Sequence, residues 1–142
     1  MRTENGVEYG DRPSPLPRRG PSEASEQLLV VRALRRAGLC YMHVPLGGAR
    51  SRRAGAEARR LGASKGFPDL LIFDAPPKAI RRPDGGWPCG VALELKRPVA
   101  GSRPSAEQVA WLEQLAQRGW LATVQWGAEE ALGYLRRRGY TV

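Results

Sequence analysis

Three residues in this chain have the types and spacing for metal-assisted chemistry: Asp69, Glu94 and Lys96. Asp69 follows Pro68 and opens the apolar run LLIF (70–73), where a buried strand gains nothing from a carboxylate unless its charge is used. In VALELK (91–96), extended-strand alternation sends Glu94 and Lys96 to one face and Leu93 and Leu95 to the other. If the two runs pair antiparallel, the start of 69–73 meets the end of 90–96, and Asp69 arrives beside Glu94 and Lys96. Two carboxylates 4 Å apart repel by about 4 kcal/mol at an effective dielectric of about 20. A divalent cation relieves that repulsion, and carboxylate oxygens completed by water are the hard ligands Mg²⁺ prefers. Taken singly, the same residues read as a Glu94–Lys96 surface pair and an Asp69 that caps a turn. Their convergence is what points to a metal site.

Charge points to the partner. Lys and Arg number 23 against 14 Asp and Glu, a net +9, with an isoelectric point near 10.5. Such an excess attracts polyanions, nucleic acid first among them. It concentrates between residues 50 and 65 in Arg50, Arg52, Arg53, Arg59, Arg60 and Lys65, with Glu57 the one acid there. Contacts from that set to phosphates would release counterions and make binding strongly salt-dependent. His43 is the single histidine and the cysteines are Cys40 and Cys89, so a tetrahedral Cys/His zinc site is excluded. The two cysteines read as free thiols. No run approaches the ~20 apolar residues of a membrane span, and no secretion signal is legible. A cytoplasmic chain without a membrane partner is expected.

The elements that must position these groups follow from periodicity and caps. Residues 1–20 carry Pro13, Pro15, Pro17 and scattered charge, and read as a disordered lead-in to one domain over 21–142. SEASEQLLVVRALRRAG (22–38) is a helix, capped by Ser22, stopped at Gly38 and striped by Leu28, Val31 and Leu34. Strands are expected at 39–44, 69–73, 90–98 and 120–126. Helices are expected at 105–118, where SAEQ forms a capping box, and at 128–138, with a shorter basic one near 52–61. The stretch 75–88 holds four prolines and Gly85-Gly86 and reads as a loop. The order predicts an α/β fold, a small central mixed sheet flanked by helices, with a parallel crossover through 105–118.

Pro68-Asp69 followed by Glu94-Leu95-Lys96 has the form of the PD-(D/E)XK nuclease signature, and the fold this implies is restriction-endonuclease-like. More narrowly, the chain resembles the virus-type replication-repair nuclease (VRR-NUC) family, in particular its small stand-alone members from phages and bacteria. The likeness runs over residues 22–139 through an acid near the start of helix 22–38, MHVPLGGARSRRAGAEARRLGASKGFPDLLIF (42–73), GVALELKRP (90–98), SAEQVAWLEQLAQRGW (105–120) and WGAEEAL (126–132). It implies that Asp69, Glu94 and the Leu95 carbonyl bind Mg²⁺, with Mn²⁺ able to substitute. It also implies that Lys96 positions or activates the attacking water, and that Gln108 joins the catalytic set. The helix-one acid is Glu23 or Glu26; Glu23 is favoured because, with Gln27, it reproduces the family's spacing to the helix-ending glycine. His43 matches a basic position in relatives, while Leu46 stands where they often have Asn. The implied activity is hydrolysis of DNA phosphodiester bonds by a structure-selective endonuclease, on branched DNA such as Holliday junctions, in a bacterial or phage-infected cell. A homodimer is implied too, with strand 120–126 or Trp111 and Trp120 as candidate interfaces beside their reading as core. Two alternatives stand: a non-catalytic nucleic-acid-binding module, and a nuclease acting on linear DNA or RNA.

Overall fold

The computed structural model describes residues 1–12, 16–44, 52–82 and 84–142. Its centre is a six-stranded mixed sheet. In chain order the elements are β1 (Arg2–Glu4), β2 (Val7–Tyr9), α1 (Glu23–Arg36), β3 (Tyr41–His43), α2 (Arg52–Arg60), β4 (Leu70–Ile72), β5 (Val91–Lys96), α3 (Ala106–Gln117), β6 (Leu121–Trp126) and α4 (Ala128–Arg137). The strands lie in the order β1-β2-β6-β5-β4-β3. β6 runs parallel to both β5 and β2, while β4 is antiparallel to β5 and to β3.

Alternation divides the core between the two faces. Val91, Leu93 and Leu95 of β5 join Leu70 and Ile72 of β4 beneath Val30 and Leu34 of α1 and Tyr134 and Leu135 of α4. Ala92 joins Val7, Tyr9, Val124 and Trp126 beneath Leu112 and Leu115 of α3. The helix boundaries follow the expected caps. Ser22 Oγ accepts from the Ser25 N–H, and Ser105 and Gln108 form a reciprocal capping box. Gly38 sits at φ +70 just past α1, a left-handed stop that glycine adopts without strain. Cys40 and Cys89 are free. Among the described residues no helix is long and apolar enough to cross a membrane.

Three expectations need correction. Residues 1–20 are not without structure: Arg2–Glu4 and Val7–Tyr9 form a hairpin that adds two strands to the sheet. Its turn is Asn5-Gly6, both at positive φ (+50 and +81), the pair that a tight two-residue hairpin turn requires. What anchors β2 is burial of Val7 and Tyr9 under α3 and of Glu8 on the other face, where it meets Tyr134 and Arg138. Second, 120–126 cannot serve as a dimer interface, because β6 is paired along both edges inside the sheet. Third, Leu28 is exposed, and the buried stripe of α1 runs through Val30, Val31 and Leu34 instead. Trp111 and Trp120 are partly buried and packed edge-to-face on Phe67 and Phe73.

Candidate active site

The β4–β5 register builds the site. Leu70 stands opposite Leu93, so the residue before β4, Asp69, comes level with Glu94. Asp69 is fixed there by the Leu95 N–H, which donates to its Oδ2 at 2.9 Å. Lys96 uses its carbonyl on the β6 side, accepting from the Gly127 N–H at 2.9 Å. Alternation therefore turns the Leu95 N–H and carbonyl together toward the β4 edge, where Asp69 sits.

Glu94 is fully buried. Its Oε1 accepts from Gln108 Nε2 at 2.8 Å and lies 3.3 Å from Lys96 Nζ. Its Oε2 is buried and meets no donor. Leaving a buried carboxylate oxygen unpaired costs at least about 1–3 kcal/mol, so that atom marks a place where something from outside the chain would complete the shell. Burial first, and then the neighbouring Asp69 carboxylate, push Glu94 up to about 8. Asp69 is also raised, mainly by burial, against the Leu95 N–H that favours its charged form. A hydrogen bond between the two carboxyls needs one of them protonated; with both ionised, Glu94 Oε2 faces no partner.

Gln108 has two roles at once. Its Oε1 accepts from the Ser105 N–H at 2.8 Å, completing the capping box of α3, while its Nε2 holds Glu94. The N-terminus of α3 and β5 are thus tied through one amide.

The structure distinguishes the two helix-one acids by position. Glu26 is buried and its Oε2 accepts from the Ala128 N–H at 2.6 Å. It caps α4, whose own N-cap residue, Gly127, offers no side chain. Glu23 lines a cleft with Asp69 and His43. It is raised by burial and then by Asp69, with Lys96 and Arg97 acting in the opposite direction. His43 is exposed; its Nδ1 is 2.9 Å from the Asp69 carbonyl, and since a carbonyl only accepts, that nitrogen is the donor.

Of the expected nucleic-acid contacts, Arg52, Arg53, Arg59 and Arg60 lie on α2, a helix with no buried residue. Arg60 pairs with Glu57 at 2.6 Å and Lys65 approaches Glu107 at 3.8 Å. Arg50 and Leu46 lie outside the described residues.

Two supporting residues escaped the sequence reading. Arg97 donates to the carbonyls of Pro21 and Gly20 at 3.0 and 3.1 Å, tying the start of α1, and with it Glu23, to the end of β5. Its signal was a cation directly after Lys96. Gly66, at φ +87, packs so closely on the first turn of α3 that a Cβ would lie 2.8 Å from Glu107 and 2.9 Å from the Gln108 nitrogen. Its place three residues before Asp69 was visible, but its contact was not.

Among the described residues no three His, Cys, Asp or Glu side chains gather into a metal-holding group. The donor set on offer is two carboxylates and a backbone carbonyl where the start of β4 meets the end of β5. Hard oxygens and an unpartnered Oε2 beside the half-buried Asp69 fit a small divalent cation that keeps several of its waters.

A mixed sheet with an Asp before one central strand and Glu-x-Lys ending the next is the PD-(D/E)XK arrangement. The chain shares its fold with a solved structure described as a VRR_NUC domain protein, 21% identical, with a TM-score of 0.63 over 87% of this chain and 90% of that one. Its fold is that of a VRR-NUC domain. No family model matches the sequence, and a comparison with curated proteins finds no match.

Proposed function

We propose that the chain is a Mg²⁺-dependent nuclease that hydrolyses DNA phosphodiester bonds, a structure-selective endonuclease for branched DNA such as four-way junctions, acting as a homodimer. The observation that carries the reading is the unpartnered, buried Glu94 Oε2 beside Asp69, with Lys96 Nζ on the other oxygen of the same carboxylate. The net charge of +9 and the exposed basic face of α2 favour a nucleic-acid backbone as substrate.

Asp69, Glu94 and the Leu95 carbonyl would hold the cation. Such an ion supplies Lewis-acid stabilisation of phosphoryl charge and makes water a stronger nucleophile at neutral pH. The chain does the positioning. Gln108 holds the Glu94 side chain in one orientation, and the Leu95 N–H does the same for Asp69. Lys96 contributes one N–H to Glu94 and keeps others for water or a phosphate oxygen. Glu23 lines a cleft with Asp69 and would serve there as an acceptor for water. Recognition of the backbone without base reading suits selection by DNA shape. With β6 paired on both sides, a dimer has to use another surface of the chain.

The test is incubation of the pure protein with Mg²⁺ or Mn²⁺ and labelled linear, flap and four-way DNA. Cleavage that EDTA stops, strongest on the branched substrates, is expected. Full activity in Asp69→Asn would overturn the assignment of the site, and metal-dependent cleavage of RNA alone would overturn the substrate.

A further inference from the structure

A second cleft opens on the α3 face, beside the catalytic column. Trp126 of β6 stands in register with Lys96 of β5, and the cleft, of about 620 Å³, begins at that indole. Its walls include Arg2, Tyr9 and Arg12 from the N-terminal hairpin and the segment after it, and Arg103 just ahead of α3. The Arg12 guanidinium lies 5.2 Å from the Trp126 ring centroid and that of Arg2 lies 4.7 Å from Tyr9. Both cations therefore lie over aromatic rings, Arg12 half-buried and Arg2 exposed.

The charges in this cleft are unevenly matched. Asp11 is taken by the Met1 ammonium at 3.0 Å, and Glu4 lies 3.8 Å from Arg2. Among the described residues neither Arg12 nor Arg103 forms an ion pair, and Arg12 Nε is buried with no acceptor. A guanidinium pre-set on an indole, with an N–H lacking an acceptor and a second arginine on the same cleft, has the chemistry that recognises a phosphate. Neighbouring strands are about 4.8 Å apart, so β2 stands about 10 Å from β5.

We propose that this cleft is a phosphodiester-binding subsite, in which Arg12 and Arg103 hold a backbone phosphate of the substrate strand beside the stretch cleaved at Asp69 and Glu94. The proposal rests on the nuclease reading for the identity of its ligand. It also gives the N-terminal hairpin, which precedes the stretch whose sequence resembles VRR-NUC nucleases, a part in substrate binding.

The test separates binding from cleavage. The full-length protein, Arg12→Gln and Arg103→Gln are each titrated with labelled linear and four-way DNA in EDTA, by fluorescence anisotropy over a salt series. Each substitution is expected to weaken binding about three- to tenfold and to lower the slope of log K against log salt by about one. Arg103 is exposed, so Arg103→Gln decides the matter even if Arg12→Gln, which removes a cation from Trp126, fails to fold. Unchanged affinity and slope in a folded Arg103→Gln protein would overturn the subsite. So would inorganic phosphate raising the wild-type melting temperature, and not that of Arg103→Gln, while DNA binding stays equal in the two; the site would then be one for a small anion. Weakened binding in the variants, together with no metal-dependent cleavage by the wild type, would instead keep the subsite and overturn the nuclease reading.

Discussion

Glu8 on β2 and Glu94 on β5 are both buried in one sheet, with β6 between them. Glu8 Oε1 accepts from the Tyr134 hydroxyl at 2.9 Å, its Oε2 pairs with Arg138, and its backbone carbonyl accepts from Thr123 Oγ1 at 2.8 Å. Glu94 shares one oxygen between Gln108 and Lys96, leaves the other without a donor, and faces a second carboxylate. Glu26 belongs with Glu8, its buried carboxylate spent on the N-terminus of α4. Burial therefore does not separate Glu94 from the two structural glutamates. What differs is completeness: the structural glutamates have partners supplied by the fold, whereas Glu94 has a shell that the fold leaves open.

The comparison breaks most sharply by substitution at the open site. Asp69→Asn and Glu94→Gln are expected to lower metal-dependent DNA cleavage by at least about 10²- to 10³-fold, in the range for removing a group that stabilises the transition state directly. Affinity for the same DNA in EDTA should be unchanged. Glu94→Gln should also leave the metal-free protein no less stable, since above about pH 8 a neutral amide replaces a buried charge, and below it the amide can donate toward Asp69 as the protonated carboxyl does. A marked drop in the melting temperature of Glu94→Gln would mean that Glu94, like Glu8, is there for the fold.

Glu8→Ala should do the reverse. It strands the Arg138 guanidinium, which is only 15% exposed, and breaking such a buried pair costs on the order of 3 kcal/mol. Chemical denaturation measures that loss. Cleavage per folded molecule, assayed well below the transition, should match the wild type.

Much of this contrast was legible along the chain, and the missing part has a physical reason. Asp69, Glu94 and Lys96 announce themselves because two apolar strands surround charges that local structure does not need. The SAEQ cap set Gln108 at the third position of α3, but its reach to Glu94 is a tertiary fact. Glu23 and Glu26 share a helix turn, and which one faces the cleft depends on how α1 docks against α4. The N-terminal hairpin was signalled by Asn5-Gly6, which the scattered prolines after it outweighed. In VEY the middle residue looks like a surface acid. Its burial makes sense only once Arg138, 130 residues away, is brought over it.

Titration gives a third measurement on the same pair of sites. Glu94 is raised from its ordinary 4.5 to about 8, and Asp69 and Glu23 are raised as well. Between 4.5 and about 8 the folded protein therefore holds a proton that the unfolded chain has released. The stability this confers is complete below 4.5 and is lost as pH rises through about 8. A cation needs the ionised form and displaces that proton, so its affinity rises over the same window. Thermal melts should show the metal-free protein weakening from pH 5 to pH 8.5, and Mg²⁺ raising the melting temperature more at pH 8.5 than at pH 6. Glu94→Gln should flatten both dependences, whereas Glu8→Ala should leave them in place. A Mg²⁺ effect that does not vary with pH, or that survives in Glu94→Gln, would separate the cation from this carboxylate.

The smallest effect concerns the residue that belongs to both kinds of chemistry. Gln108→Ala removes half of the α3 capping box and also the one neutral donor on Glu94. The lost cap costs on the order of 1 kcal/mol of stability, measurable by denaturant titration. The lost donor leaves Glu94 held by Lys96 alone, free to turn away from Asp69, and should lower cleavage about tenfold, as expected for loss of a positioning contact. Gln108→Glu tests the two roles apart. A glutamate can still accept from the Ser105 N–H, so the helix start survives, but it sets a third carboxylate against Glu94. If Gln108→Glu keeps its stability and loses activity, the amide donor is what the site needs; if both variants lose stability and neither loses activity, Gln108 is a cap and nothing more.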